Sequence, residues 1–223
     1  MIWDRIGKLF QTNDFYIEDG CFRKKFGVRD YPALFWGFLD RKPVMSARDR
    51  YEREKTHILN LSGKGLNTPV LMNFYDRELT LEIKVLDITS LVNVFTDTEI
   101  SFDDKLFLYL GALHQLKGIH DLDMFHGDAY LRNFFRINNG SIRGQGVYTC
   151  DFEHVRKSPF PKTTDVLVIT ANTISLLGNF KKIVNGLESI YEDNFSFPFG
   201  IIDKAFFRAR FGVGKEFFDY FSR

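Results

Sequence analysis

Between Phe102 and His120, apolar positions recur at three- and four-residue steps. Leu106, Leu110, Leu113 and then Leu116 or Lys117 share one face, with Asp103 and Asp104 in the first turn. That period and its acidic start, favourable to a helix dipole, predict a long helix. A second helix is expected from Ser46 to Leu61, where Ser46 is a natural N-cap, Gly63 and Gly65 are stop signals and Pro69 lies beyond. Elsewhere the pattern is that of strands. Phe15-Tyr16-Ile17, the turn Glu18-Asp19-Gly20 and the run Cys21 to Val28 predict a hairpin, and Val70 to Phe74 with Leu79 to Val85 predict another strand pair around Tyr75-Asp76-Arg77-Glu78. Phe134 to Ile137 and Val147 to Phe152 enclose the turn-rich Asn138-Asn139-Gly140-Ser141 and read as a further hairpin. Pro159 and Pro161 break the chain after this hairpin. Asp165 to Leu177 then reads as a buried helix, and the remainder as helix interrupted by Phe197-Pro198-Phe199-Gly200. The order predicts an α+β lobe over residues 1–87 and a mostly helical lobe over 88–223.

Composition narrows the classes of function. A chain of 223 residues with 44% hydrophobic content can bury one substantial core or two small lobes. Thirty Lys+Arg against 29 Asp+Glu leaves a net charge of +1, so no global field favours nucleic acid. Two cysteines, Cys21 and Cys150, are too few for a disulfide framework, which points to a reducing, cytoplasmic setting. No stretch approaches the roughly 18 apolar residues of a spanning helix, and Met1-Ile2-Trp3-Asp4-Arg5 lacks the pattern of a signal peptide. A soluble protein is expected. Phe is abundant, at 25 residues, and clusters near the ends. Trp3, Ile6, Leu9 and Phe10 lie among Arg5 and Lys8, and Phe217, Phe218 and Phe221 lie beside Lys215 and Arg223. Either end could make a peripheral membrane contact; sealing helix packing is the commoner use of such stripes.

The chemistry concentrates in Phe125-His-Gly-Asp-Ala-Tyr-Leu-Arg-Asn-Phe-Phe-Arg136 and Tyr148-Thr-Cys-Asp-Phe-Glu153. Together they carry the spacing H-x-D-x-x-x-x-N, a hairpin, then D-F-x. In a kinase catalytic loop the first Asp accepts the proton of the attacking hydroxyl, the Asn binds Mg²⁺, and the second Asp binds the metal that bridges the phosphates. Asp128, Asn133 and Asp151 occupy those places, with Asn133 and Asp151 as the metal ligands. Either tripeptide alone could be an ordinary turn; their joint, ordered occurrence is what selects the kinase-like reading. Arg132 could neutralise the transferring phosphoryl group, contact Asp128, or be a surface charge. His126 is expected to pack the loop, since Asp128 already supplies the base. Cys150 and His154, without a second pair at ligand spacing, do not make a zinc site. Upstream, a kinase needs a strand lysine paired with a helix glutamate. Strand alternation puts Lys24 on the apolar face with Phe22 and Phe26, and Lys25 on the other, so Lys24 is preferred. Glu52 and Glu54 both remain open as its partner on these grounds.

With these segments in place the chain resembles the lipopolysaccharide kinases, the WaaP-like family acting on Kdo or heptose sugars. More distantly it is similar to the RIO kinases and the small atypical kinase of the KEOPS complex. The likeness runs over about residues 15–170. It passes through Gly20-Cys-Phe-Arg-Lys-Lys-Phe26, Ser46-Ala-Arg-Asp-Arg-Tyr-Glu-Arg-Glu54, Gly65-Leu-Asn-Thr-Pro69, His126-Gly-Asp128 and Asp151-Phe-Glu153. Counting back from Gly65, the resemblance selects Glu54 over Glu52, and it also supports Lys24. It implies that Glu82 to Leu86 meets adenine through its backbone, and that Asp165 braces the catalytic loop. Two departures are informative. No G-x-G-x-x-G precedes Lys24, so any phosphate-covering loop is reduced or formed near Asp14, and Gly127 replaces the arginine of H-R-D, which argues against control by a phosphorylated activation loop.

The expectation is a two-lobed protein-kinase-like fold with a reduced N-lobe and ATP and Mg²⁺ held between the lobes. It would transfer the γ-phosphate to a sugar hydroxyl of the lipopolysaccharide inner core, at the cytoplasmic face of the inner membrane. A Ser/Thr protein kinase acting on a protein acceptor is the first alternative, and a pseudokinase binding module the second.

Overall fold

Local signals explain most of the elements of the chain. The structure is a computed structural model that describes residues 13–18, 21–27, 46–84, 86–138, 142, 146–152, 160–192 and 195–222. The N-terminal aromatic cluster, the turn residues Asp19 and Gly20, Glu153 and His154 lie outside them. Contacts divide the chain into two compact units, Met1–Leu86 with Cys150–Ser158, and Asp87–Thr149 with Pro159–Arg223. The segment Cys150–Ser158, expected in the second lobe, groups with the first unit.

In the first unit, β1 (Asn13–Glu18) and β2 (Cys21–Phe26) form an antiparallel hairpin. Strands β3 (Leu71–Tyr75) and β4 (Thr80–Lys84) complete a sheet of order β1-β2-β4-β3. Helix α1 (Ala47–Ser62) packs over β2, β3 and β4. Its start is fixed by a capping box: Ser46 Oγ accepts from Asp49 N at 3.0 Å and Asp49 Oδ2 accepts from Ser46 N at 3.3 Å. Arg50, Tyr51, Glu54, Ile58 and Leu61 make up its buried face. Tyr51 meets Phe26 of β2 edge-on at 5.7 Å.

The second unit opens with β5 (Ile88–Ser90) and α2 (Leu91–Thr96), which sequence periodicity does not reveal because each is shorter than the window needed to see a period. Helix α3 spans Phe102–His120, as its pattern predicts. Its buried stripe is nevertheless Leu108, Tyr109, Ala112, Leu113, Leu116 and Ile119. Leu106 and Leu110 are only partly buried and face Gly186, where an added Cβ would lie 3.0 Å from Leu110 Cδ2. Strands β6 (Phe134–Ile137) and β7 (Val147–Thr149) follow a short 3₁₀ turn, Leu131–Asn133, in a sheet of order β5-β6-β7. Gly111 lets α3 press on this sheet, since a Cβ there would fall 2.8 Å from Val147 Cγ2. Strand β7 stops at Thr149, short of the expected Phe152.

Helices α4 (Pro161–Leu177), α5 (Phe180–Ile190), α6 (Ile201–Phe211) and α7 (Lys215–Phe221) complete the unit. Helix α4 begins at Pro161, ahead of the expected Asp165. Pro161 opens the helix at its first turn, where no backbone donor is needed, instead of breaking it. Phe217, Phe218 and Phe221 are buried against Phe199, Phe207 and one another, so the C-terminal aromatics seal a core and do not form a membrane-facing surface. No helix among the described residues is long and apolar enough to cross a membrane.

Candidate active site

The candidate residues fall into two groups, one in each unit. In the first, strand alternation decides which lysine turns inward: Lys24 and Phe26 are buried and Lys25 is exposed. Lys24 Nζ lies 2.6 Å from Glu54 Oε2 and 2.8 Å from Asp151 Oδ1, with Nζ 5.0 Å from the centroid of the Phe26 ring. Lys24 is 4% exposed and Glu54 2%. Glu52, the other helix candidate, points outward to Lys55 at 3.4 Å. Burying charges costs several kcal/mol each, so a buried ion pair is weak evidence for stability and better evidence for a charge placed for use.

Asp151 is built into this cluster by an unusual backbone. Its φ is +67°, a left-handed conformation that Asp tolerates better than most residues. The next residue is anchored: Arg53 Nε donates to the Phe152 carbonyl at 2.9 Å, and the fully buried Phe152 ring stacks on His57 at 5.9 Å. Arg53 falls inside the segment Ser46 to Glu54 but is assigned no role there, and His57 lies beyond it. One helical turn apart on α1, they share a face, and that spacing is the signal that could have found them.

In the second unit, the loop after α3 is held from behind by a carboxylate. Asp165, 1% exposed on α4, accepts from His126 N at 2.7 Å through Oδ2 and from Gly127 N at 3.0 Å through Oδ1. His120 Nε2 lies 3.4 Å from the same Oδ2, and the Tyr191 hydroxyl lies 3.0 Å from His120 Nδ1. Asn172 adds a bond from Leu131 N at 3.1 Å. His120, Asn172 and Tyr191 carry no motif, and sequence reasoning does not find them. His126 is fully buried, 3.0 Å from Thr149 Oγ1 and packed on Phe134 at 5.4 Å, so it serves the loop as packing.

Gly127 adopts φ +79°. A side chain there would be strained, which gives a local reason for glycine at this place. Beyond it, Asp128 is 1% exposed. Arg132 Nη2 donates to Asp128 Oδ2 at 3.1 Å, and Asn133 Nδ2 donates to the Asp128 carbonyl at 2.8 Å and to Oδ2 at 3.2 Å. Asn133 thus spends its nitrogen on Asp128, and its side-chain oxygen is the atom suited to a cation. Arg132, expected at the phosphoryl group, on Asp128 or as a surface charge, takes the second place.

Glu82 requires correction. Strand β4 runs between β2 and β3, so its backbone polar groups point into ladders on both sides, and Glu82 pairs with Arg23 and Asn73. Its backbone is not available to an adenine ring. Its carboxylate accepts from the Tyr75 hydroxyl at 3.0 Å and from Arg23 at 3.3 Å. The tyrosine bond chiefly, and Arg23 after it, holds the carboxyl below the usual range.

No family model and no curated protein matches the chain by sequence. Solved structures do match in shape. WaaP, solved in complex with acyl carrier protein, superposes with a TM-score of 0.53 at 11% identity, over 83% of this chain and 81% of its own. The Rio2 kinase of Chaetomium thermophilum, solved as an ADP/Mg²⁺-phosphoaspartate complex, gives 0.52 at 12% identity, over 99% and 72%. The chain therefore has a protein-kinase-like fold with a reduced first lobe. At these identities the likeness defines the fold, and the chemistry rests on the residues.

Proposed function

We propose that this protein is an ATP- and Mg²⁺-dependent phosphotransferase that moves the γ-phosphate to an acceptor hydroxyl on a sugar of the lipopolysaccharide inner core, Kdo or heptose. The observation that carries the reading is the placement of Lys24 between Glu54 and Asp151, a buried ammonium held by two carboxylates. Glu54 orients Lys24 toward the phosphates, and the positive charge offsets theirs. Each unit offers an oxygen donor of the kind Mg²⁺ takes, a carboxylate oxygen of Asp151 in the first and the side-chain oxygen of Asn133 in the second, whose nitrogen is turned onto Asp128. When bound, the metal supplies charge neutralisation at the transferring phosphate.

Asp128 accepts the proton of the acceptor hydroxyl as that oxygen bonds to the γ-phosphorus and the bond to ADP breaks. The proton then passes from Asp128 to solvent. Arg132 holds one oxygen of Asp128, fixing the carboxylate for this task. Most of the rate enhancement comes from positioning and charge, as phosphoryl transfer requires. A lipid-linked acceptor places the enzyme at the cytoplasmic face of the inner membrane.

Incubation with labelled ATP, lipopolysaccharide core lipid and, separately, a cell extract tests the reading. Label in the lipid is the expected result. Label in protein alone would transfer the same chemistry to a Ser/Thr protein kinase, and label in neither, with no nucleotide binding, would leave a binding module.

A further inference from the structure

Two arginines from distant parts of the second unit converge on one ring beside Asp128. The Arg132 guanidinium carbon lies 4.6 Å from the centroid of the Tyr130 ring and that of Arg210 lies 5.7 Å from it. Tyr130 follows Asp128 and Ala129 in the chain and is 3% exposed, and its ring packs on Phe211 at 5.8 Å, which anchors the end of α6 that carries Arg210. A cation in the last turn of a helix is favoured by the helix dipole, which accounts equally for Arg208 and Arg210. The dipole does not account for where they go: Arg208 lies over Phe218, and Arg210 is carried onto Tyr130. Arg210 is exposed and has no carboxylate partner among the described residues, while the Arg132 side chain, in contact with Asp128, keeps 47% exposure. Planar guanidiniums stacked on an aromatic face keep their donor edges outward, an arrangement suited to a carboxylate or phosphate.

We propose that Arg210, with Arg132, binds an oxyanion carried by the acceptor, so that the favoured substrate is an anionic sugar presenting its hydroxyl to Asp128. That this anion belongs to an acceptor rests on the phosphotransferase reading above; the anion site itself does not, and its test contains no ATP. Binding of Kdo and, separately, of inorganic phosphate to the full chain is measured by calorimetry for the wild type, Arg210→Gln and Arg210→Lys. Neutral Kdo methyl ester serves as control. The expected result is binding of at least one anion, about tenfold weaker in Arg210→Gln and largely restored in Arg210→Lys, with thermal midpoints unchanged because Arg210 is on the surface. The relative affinity for the two anions tells a carboxylate from a phosphate. Equal binding of the methyl ester, anion binding untouched by Arg210→Gln, or binding of an acidic peptide with neither Kdo nor phosphate bound would overturn the assignment.

Discussion

The two groups of candidate residues are held by opposite means. In the first unit Lys24, Glu54 and Asp151 hold one another through charge, in a part of the fold that gains little from their pairing. In the second, the Asp128 loop is held by neutral backbone donors on one buried carboxylate, Asp165. On the proposed function, the difference separates two jobs. Charges that meet a triphosphate must be able to exchange partners, whereas a base that takes a proton must already be in place. The first group should therefore be expendable for folding if replaced as a set, and the second should not.

The comparison can be broken most sharply at Asp128. Asp128→Asn should lower phosphotransfer by about 10²–10⁴-fold with nucleotide binding retained, measured by initial rates and by calorimetry with ATP. Comparable rates would remove Asp128 as the base. Next in size, Lys24→Met leaves Glu54 buried without its cation and should cost about 3–5 kcal/mol in urea unfolding. The double variant Lys24→Met with Glu54→Leu should recover most of that loss while remaining unable to bind ATP. A double variant as unstable as the single one would show that the pair holds the fold.

Asp165→Asn replaces one acceptor oxygen with a donor facing a buried N–H, a loss of about 1–3 kcal/mol. Amide exchange at His126 and Gly127 should accelerate selectively; unchanged protection would dismiss Asp165 as the brace. Gly127→Ala forces a side chain into φ +79° and should cost about 1–2 kcal/mol by thermal unfolding. A neutral result would mean the loop relaxes freely.

The same contrast governs what is legible in the sequence. Alternation along Cys21 to Phe26 is enough to turn Lys24 inward, because a period of two leaves a strand residue only two faces. The spacing of Asp128 and Asn133 is readable because a short stretch of local chain brings the amide onto the aspartate. Glu82 fails for a reason periodicity cannot address: membership of an inner or an outer strand depends on which strands pair, and β4 is inner. Pro161 reads as a breaker because its meaning depends on whether it falls inside a helix or at its first turn. The support from His120, Asn172 and Tyr191 is invisible, since each makes its contact with a residue tens of positions away in the chain.

The central claim, that Lys24, Glu54 and Asp151 form a working nucleotide-phosphate site, is tested most directly by thermal unfolding with ATP, with and without Mg²⁺. The account predicts stabilisation of the wild type by ATP and Mg²⁺, about 2.7 kcal/mol at a hundredfold excess over Kd. It should be lost on chelating the metal and absent in Asp151→Ala. No shift with ATP and Mg²⁺, or an equal shift in Asp151→Ala, would contradict it.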